Sequence, residues 1–369
     1  MPQSQLDYYR VLQVDPAAEP EVIKAAYRRL ADKYHPDKNK SPDALDKMQK
    51  INEAYSVLGD DTKRTQYDSE RLQAQSSQST YTQKETKMSY TAEISRTAPT
   101  LFVFLLDQSG SMSSQFGGQT SGISKASGVA DAINRMLSNL VIRCSQGETV
   151  RDYFHISILG YGAQSGQVAP ALIGALAGKE VVTISEIGNS PARIEDRILK
   201  QPDGAGGVID MPVKFPIWFE PVSGSDTPMA KAFREAHRIV NNWIAQHKDA
   251  FPPIIINLTD GESTDSDPLS PAKDLKSLTT SDGNVLLFNC HISSVVSAPV
   301  LFPESDSSVP DKYGKKMFEM SSPLTASMIN FGKTQGFIIG DNSKGFVFQA
   351  DLVDVIRFLD IGTRPVELK

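Results

Sequence analysis

Between positions 19 and 34, apolar residues fall at Ile23, Ala26, Tyr27, Leu30, Ala31 and Tyr34, three and four places apart, while Lys24, Arg28, Arg29 and Lys33 lie off that stripe. This period marks one face of a helix, so the segment reads as an amphipathic helix with a basic exposed side. Met48, Ile51, Ala54, Tyr55 and Leu58 draw a second stripe, and two such helices joined by a short polar connection pack as an antiparallel hairpin. His35, Pro36 and Asp37 stand between them. Proline fixes its own φ and pushes the preceding residue out of helical geometry. The tripeptide therefore ends the first helix and holds Asp37 at an exposed tip.

From 72 to 87 the chain turns to Gln, Ser and Thr (LQAQSSQSTYTQKETK). With almost nothing to bury, this is the pattern of a flexible linker, its ends roughly 20 Å apart on average. Beyond it, short continuous apolar runs at 101–106, 154–159, 254–258 and 285–289 alternate with helical stretches. Runs apolar on both faces suit the strands of a parallel sheet covered by helices on each side. The stretch 89–96 alternates enough to be an edge strand. Within 163–222, alternating patches at 180–187 and 213–219 sit between Gly and Pro turns, consistent with an inserted hairpin or flap, with Trp218 and Phe219 as core residues. The fold class is multidomain: a small all-α domain at 5–71, a linker at 72–87, and a doubly wound, Rossmann-like α/β domain at 88–362 carrying an insertion around 163–222. Residues 363–369 form a tail.

Composition narrows the partners. The 369 residues are 40% hydrophobic and 22% charged with a formal net charge of −6, a globular balance that argues against nucleic acid as the main partner, since phosphate binding needs concentrated Lys and Arg. The start, MPQSQLDYYR, lacks the basic and apolar regions of a signal peptide, and no apolar run approaches a membrane span. The expectation is a cytoplasmic protein with no membrane contact. Cys144 and Cys290 each lie in an apolar stretch, as buried thiols of a reducing compartment do.

Further residues join the helical hairpin into a larger pattern: Asp7-Tyr8-Tyr9 with Leu12, Ala26-Tyr27-Arg28-Arg29-Leu30-Ala31, Tyr34-His35-Pro36-Asp37, Ile51-Asn52-Glu53-Ala54-Tyr55, and Lys63-Arg64 with Tyr67-Asp68. Over about the first 70 residues this set closely resembles the J domain of DnaJ-like proteins. Alone, the basic residues are a solvated face and His35 a helix end; set between these two helices, the motif is specific. The resemblance implies docking onto a 70 kDa heat-shock chaperone of the DnaK type and stimulation of that partner's ATP hydrolysis. Lys24, Tyr27, Arg28 and Arg29 with His35, Pro36 and Asp37 would form the chaperone-binding surface, the cations meeting an acidic surface and Asp37 a basic group. The resemblance also implies that the partner binds the ATP, so no enzyme activity is expected of this chain itself.

The larger domain carries a second constellation. Its first apolar run leads straight into Asp107-Gln108-Ser109-Gly110-Ser111-Met112, and the 254–258 run into Thr259-Asp260-Gly261-Glu262. In open α/β sheets ligands bind beyond the carboxyl ends of the strands, where both loops belong. Gly224-Ser225-Asp226-Thr227 offers a hydroxyl before a helix beginning at Pro228 or Met229. Capping and loop hydrogen bonds account for each loop separately, but not for the coincidence of three. Together they resemble the metal-ion-dependent adhesion site of von Willebrand factor A domains, although the connection before Thr227 is longer than that family's pattern. The resemblance implies that Ser109, Ser111 and Thr227 give oxygens to a divalent ion, with Asp107 and Asp260 binding it directly or through water. Hard oxygen donors favour Mg²⁺, with Mn²⁺ as a substitute. Such an ion stays electrophilic, and a carboxylate from a protein ligand can complete its coordination.

Other chemistry fits less well. The glycines at 117 and 122 have phosphate-loop spacing, but Ile123 stands where the lysine belongs. Neither Ser109 nor Ser111 lies in G-x-S-x-G, and no nearby histidine offers a base; a metal-assisted hydrolase also wants a general base. The two resemblances together imply a co-chaperone adaptor. The alternative, suggested by the resemblance of the DxSGSM loop to those of bacterial A-like domains, is a stress-response or conflict-system scaffold working with a kinase, a phosphatase or an AAA-type ATPase.

Overall fold

The computed structural model describes residues 8–12, 14, 18–34, 44–60, 63–64, 67–68, 90–116, 122–202, 208–295 and 298–364. The chain divides into two compact units, 1–87 and 88–369. His35, Pro36, Asp37 and the 72–87 stretch lie outside the described residues.

The first unit is helical: α1 (Tyr8–Leu12), α2 (Pro20–Tyr34) and α3 (Ala44–Leu58). Pro20 opens α2, where its missing N–H costs nothing. Glu21 in the first turn and Lys33 in the last complement the helix dipole. Ile23 and Leu30 from α2 meet Ile51, Ala54 and Leu58 from α3, and Tyr9, Leu12 and Tyr67 close the core. Lys24, Arg28 and Arg29 are exposed, so burial follows the stripe.

In the second unit the order is β1 (Thr100–Asp107), α4 (Lys125–Cys144), β2 (Ser145–Gln146), β3 (Thr149–Val150), β4 (Phe154–Tyr161), β5 (Val168–Pro170), β6 (Val182–Thr183), α5 (Ile184–Asn189), β7 (Arg193–Pro202), β8 (Val208–Ile217) and α6 (Met229–Gln246). Then come β9 (Ile254–Thr259), α7 (Leu269–Ser277), β10 (Thr279–Thr280), β11 (Gly283–Asn284), β12 (Leu286–Ile292), β13 (Val300–Leu301), α8 (Lys312–Met320), α9 (Ala326–Thr334), β14 (Phe346–Ala350) and α10 (Leu352–Gly362). The main sheet runs β13-β14-β12-β9-β1-β4-β5, with β6 also on β4. Its five central strands are parallel, and the rim strands β5, β6 and β13 are antiparallel.

Alternation along β1 explains why its whole run is apolar. Phe102, Phe104 and Leu106 pack with Val129, Ile133 and Leu137 of α4 and Val355, Phe358 and Leu359 of α10. Leu101, Val103 and Leu105 face the other way, toward Phe233, Ala236 and Val240 of α6 and Ala272 and Leu275 of α7. Helices thus cover both faces of a mixed sheet. Within the second layer a polar ladder crosses the strands: Tyr161 Oη donates to Asn257 Oδ1 (2.9 Å), Asn257 Nδ2 to Asn289 Oδ1 (3.0 Å), and Asn289 Nδ2 to Ser321 Oγ (2.9 Å).

Two expectations need correction. Residues 90–96 form no edge strand; the amides of Thr91 and Ala92 are taken by the Asp282 carboxylate and that of Tyr90 by the Asp282 carbonyl. The patch at 180–187 splits between the two-residue strand β6, paired with β4, and the start of helix α5, which is fixed by a capping box between Thr183 and Glu186. The inserted ribbon β7–β8 does form. At its root the buried Asn134 of α4 accepts from the Trp218 and Phe219 amides (2.8 and 3.1 Å) and donates to the Phe219 carbonyl (2.8 Å). Trp218 and Phe219 are core residues. No helix among the described residues is long and apolar enough to cross a membrane.

Candidate functional site

Strands β1 and β9 are parallel neighbours with Leu106 opposite Leu258, so Asp107, Thr259 and Asp260 leave the sheet side by side. Asp107 is buried; its Oδ1 accepts from the Ser109 amide (2.9 Å) and its Oδ2 from Thr259 Oγ1 (2.7 Å). Ser109 Oγ meets Ser111 Oγ (3.0 Å), and Ser111 Oγ donates to Asp260 Oδ1 (2.7 Å). Burial pushes the Asp107 carboxyl up to about 6, against the pull of its Ser109 and Thr259 hydrogen bonds. A cation in contact would favour the ionised form.

Thr227 lies in the loop between β8 and α6, just before the helix that the sequence places at Pro228 or Met229. Gly224 N–H bonds the Gln108 carbonyl (2.7 Å), Ser225 N–H the Gly162 carbonyl (2.7 Å), and Gly110 N–H the Ser225 carbonyl (3.0 Å). These backbone bonds stitch the loops after β1 and β4 to the one before α6. At Gly162, with φ of +91°, a Cβ would stand 2.0 Å from the Asp226 carbonyl oxygen; only glycine admits this approach. Thr227 is buried, and its Oγ1 lies 4.0 Å from where a Cβ on Gly261 would be. Asp107, Ser109, Ser111 and Asp260 thus share one hydrogen-bonded chain, with Thr227 bordering the loop that carries Asp260.

The donors fit a hard cation. Asp260 Oδ2 is buried with no hydrogen-bond partner. What stands against it is Lys125 Nζ at 2.5 Å, a charge contact off the angle of a hydrogen bond, with side-chain exposures of 5% for the lysine and 0% for the aspartate. Among the described residues no three His, Cys, Asp or Glu side chains gather as a metal cluster, so hydroxyls would have to complete the coordination of any ion held by the two carboxylates. The sequence pattern does not mark Lys125, Thr259, Tyr313, which donates to the Gly261 carbonyl, or His291, whose Nδ1 accepts from the Gln349 amide (3.3 Å). A cation at the first position of a helix opposes the dipole, but nothing in the local pattern shows that the Lys125 side chain turns inward.

In the first unit, Tyr27 differs from its basic neighbours. Its ring stacks on Tyr55 with centroids 4.0 Å apart, its hydroxyl donates to Asn52 Oδ1 (3.1 Å), and it is half-buried. Lys24, Arg28 and Arg29 stay free of the core. Beyond the hairpin, Tyr9 Oη donates to Asp68 Oδ1 (2.8 Å) and accepts from Arg64 Nε (2.9 Å), while Arg64 also bonds the Ala18 carbonyl (2.8 Å). These bonds explain why tyrosines near position 8 accompany Lys63-Arg64 and Tyr67-Asp68.

Residues 7–68 match the profile of the DnaJ domain. Over 62 residues the chain is 58% identical to the curved DNA-binding protein of Pseudomonas putida (strain GB-1), covering 17% of this chain and 20% of that protein. It is likewise 58% identical to the chaperone protein DnaJ of Methanothermobacter thermautotrophicus, covering 17% and 16%. Among solved structures, it is 31% identical to the J-domain from human DnaJ subfamily C member 12, covering 20% of this chain and 67% of that one, with a TM-score of 0.18. The chain spans about a fifth or less of the length of these curated relatives. The amino-terminal segment is a J domain, followed by a mixed α/β unit.

Proposed function

We propose that this chain is a co-chaperone adaptor: its J domain engages a 70 kDa heat-shock chaperone of the DnaK type and stimulates that partner's ATP hydrolysis, while its α/β unit captures a protein ligand. The observation that carries the reading is the match over 7–68, a segment that contains His35-Pro36-Asp37. Lys24, Arg28 and Arg29, exposed on α2, supply charge for an acidic partner surface, and Tyr27 braces the hairpin that presents them. Holding a chaperone near a captured ligand raises its effective concentration there.

For the α/β unit, support comes from the convergence of Asp107, Ser109, Ser111 and Asp260 beyond the carboxyl ends of β1 and β9, with Thr227 beside them. A bound Mg²⁺ or Mn²⁺ would supply an electrophilic point that takes a ligand carboxylate. Asp107 and Asp260 would hold its charge, the three hydroxyls would orient it, and the loops stitched through Gly162 and Ser225 would keep them in place. This reading makes the unit a von Willebrand factor A-like binding module.

ATP turnover by a purified 70 kDa chaperone tests the first half: wild type accelerates it and Asp37→Asn does not, and equal acceleration would remove the J-domain mechanism. Partner capture from lysate in Mg²⁺ or in chelator, with Asp107→Ala alongside, tests the second. Identical partner sets would leave the cluster purely structural.

A further inference from the structure

We infer that Lys125 is the built-in cation of the α/β site, and that a divalent ion enters by displacing its ammonium group from Asp260. The inference rests on the metal-binding reading of Asp107, Ser109, Ser111, Thr227 and Asp260, and adds to it a resident competitor.

Lys125 is the first residue of α4 and is 4% exposed. Both placements are unfavourable for a lysine: positive charge at a helix start opposes the dipole, and a buried ammonium loses its hydration. Lysines at such positions ordinarily extend their stems and leave the charge in water. This one is held inward. Its amide bonds the Ser114 carbonyl (2.8 Å), residues Gln115 and Ser124 bridge, and Ser124 Oγ caps the helix through the Ser127 amide (3.1 Å). The chain leaving the Asp107 loop is thereby folded back so that the root of Lys125 lies beside the loop's own serines. Nζ then reaches Asp260 Oδ2 at 2.5 Å, the end of the series Ser109, Ser111, Asp260.

Charge makes the two occupants exclusive. Asp107 and Asp260 with one ammonium leave a single negative charge in a buried setting. A divalent ion added to that set would leave an excess positive charge, whereas one that replaces the ammonium leaves none. Like charges in an enclosed, weakly screened site repel strongly, so the lysine yields. In chelator the domain is closed by its own side chain; in metal, Lys125 is released to solvent, and every metal-binding event is weakened by the contact it must break.

Binding of Mn²⁺ to the full chain, followed by the paramagnetic signal of the free ion, tests this in wild type, Lys125→Met, Lys125→Gln and Asp107→Ala. Removing the ammonium should tighten Mn²⁺ binding by on the order of tenfold, and Asp107→Ala should weaken it. A second measurement needs no variant at Lys125: acylation of wild-type lysines read by mass spectrometry, where Lys125 should be protected in chelator and modified in saturating Mg²⁺. Mn²⁺ binding that is equal or weaker in both Lys125 variants, with Asp107→Ala still impaired, would overturn the lysine's role and leave the metal site standing. Unchanged Lys125 acylation in a wild type that does bind Mn²⁺ would overturn it as well, even if the variants failed to fold. No Mn²⁺ bound by wild type or either variant would refute the metal site, and this inference with it.

Discussion

Replacing Asn134 with alanine removes the side chain that ties the inserted ribbon to α4. Three hydrogen bonds disappear together, at 2.8, 3.1 and 2.8 Å, and they leave the Trp218 amide and both backbone groups of Phe219 without partners in a region where Asn134 is 1% exposed. Each stranded buried group costs about 1–3 kcal/mol. Some water will enter the space left by the amide, so the expected loss is about 3–6 kcal/mol rather than the full sum. Urea unfolding followed by tryptophan fluorescence measures it selectively, because the chain's two tryptophans, Trp218 and Trp243, both belong to the α/β unit. A destabilisation below about 1 kcal/mol, within the range of ordinary surface substitutions, would refute the claim that this clamp organises the insertion.

Gly162→Ala forces a side chain into the Asp226 carbonyl at a φ of +91°, and should cost about 1–3 kcal/mol while speeding hydrogen exchange at the Ser225 and Gly110 amides; unchanged exchange would contradict the stitched-loop account. Burial pushes the Cys144 thiol up to about 12 and that of Cys290 far above its usual value, so at about pH 8 the native chain should be inert to a thiol-specific disulfide reagent and become reactive only on unfolding. His155 Nδ1 accepts from Trp243 Nε1 (2.8 Å), and burial, with His247 nearby, lowers its pKa. The neutral form is therefore the folded one, its contribution is complete above about pH 6.5 and declines as the pH falls further, and the stability gap between wild type and His155→Gln should narrow between neutral and acid pH. A constant gap would show that this histidine does not titrate with unfolding.

The sequence announced some elements far more clearly than others, for identifiable reasons. The runs that became β1, β4, β9 and β12 are buried on both faces, so their composition is nearly uniform and needs no knowledge of register. Asp107 and Asp260 were legible because each terminates such a run, and the topology of a parallel sheet then places strand ends together. The stretch 90–96 misled because alternation alone cannot tell a strand from a segment whose amides are captured by a distant carboxylate, here Asp282. In α5 the capping pair Thr183 and Glu186 stands in the letters, but the apolar residues around it alternate as those of a strand do. β13 is only two residues long, and in β14 Gln349 ends the apolar run after three residues, too little for periodicity to register. Lys125 was invisible for a different reason: a lysine following a serine cap looks like any solvated helix start, and its inward path depends on the Ser114 carbonyl and the Gln115–Ser124 bridge, which no local pattern records.

The ladder from Tyr161 through Asn257 and Asn289 to Ser321 bears on how the sheet finds its alignment. Asn257 and Asn289 face one another in register across β9 and β12, each fully buried. Sliding either strand by one residue would turn its amide to the opposite layer, among phenylalanines and leucines that offer it nothing, whereas neighbouring isoleucines and leucines would tolerate the slip. Two asparagines therefore act as an alignment key for strands that are otherwise interchangeable in greasiness, and they fix in place the loop ends from which Asp260 and its neighbours emerge.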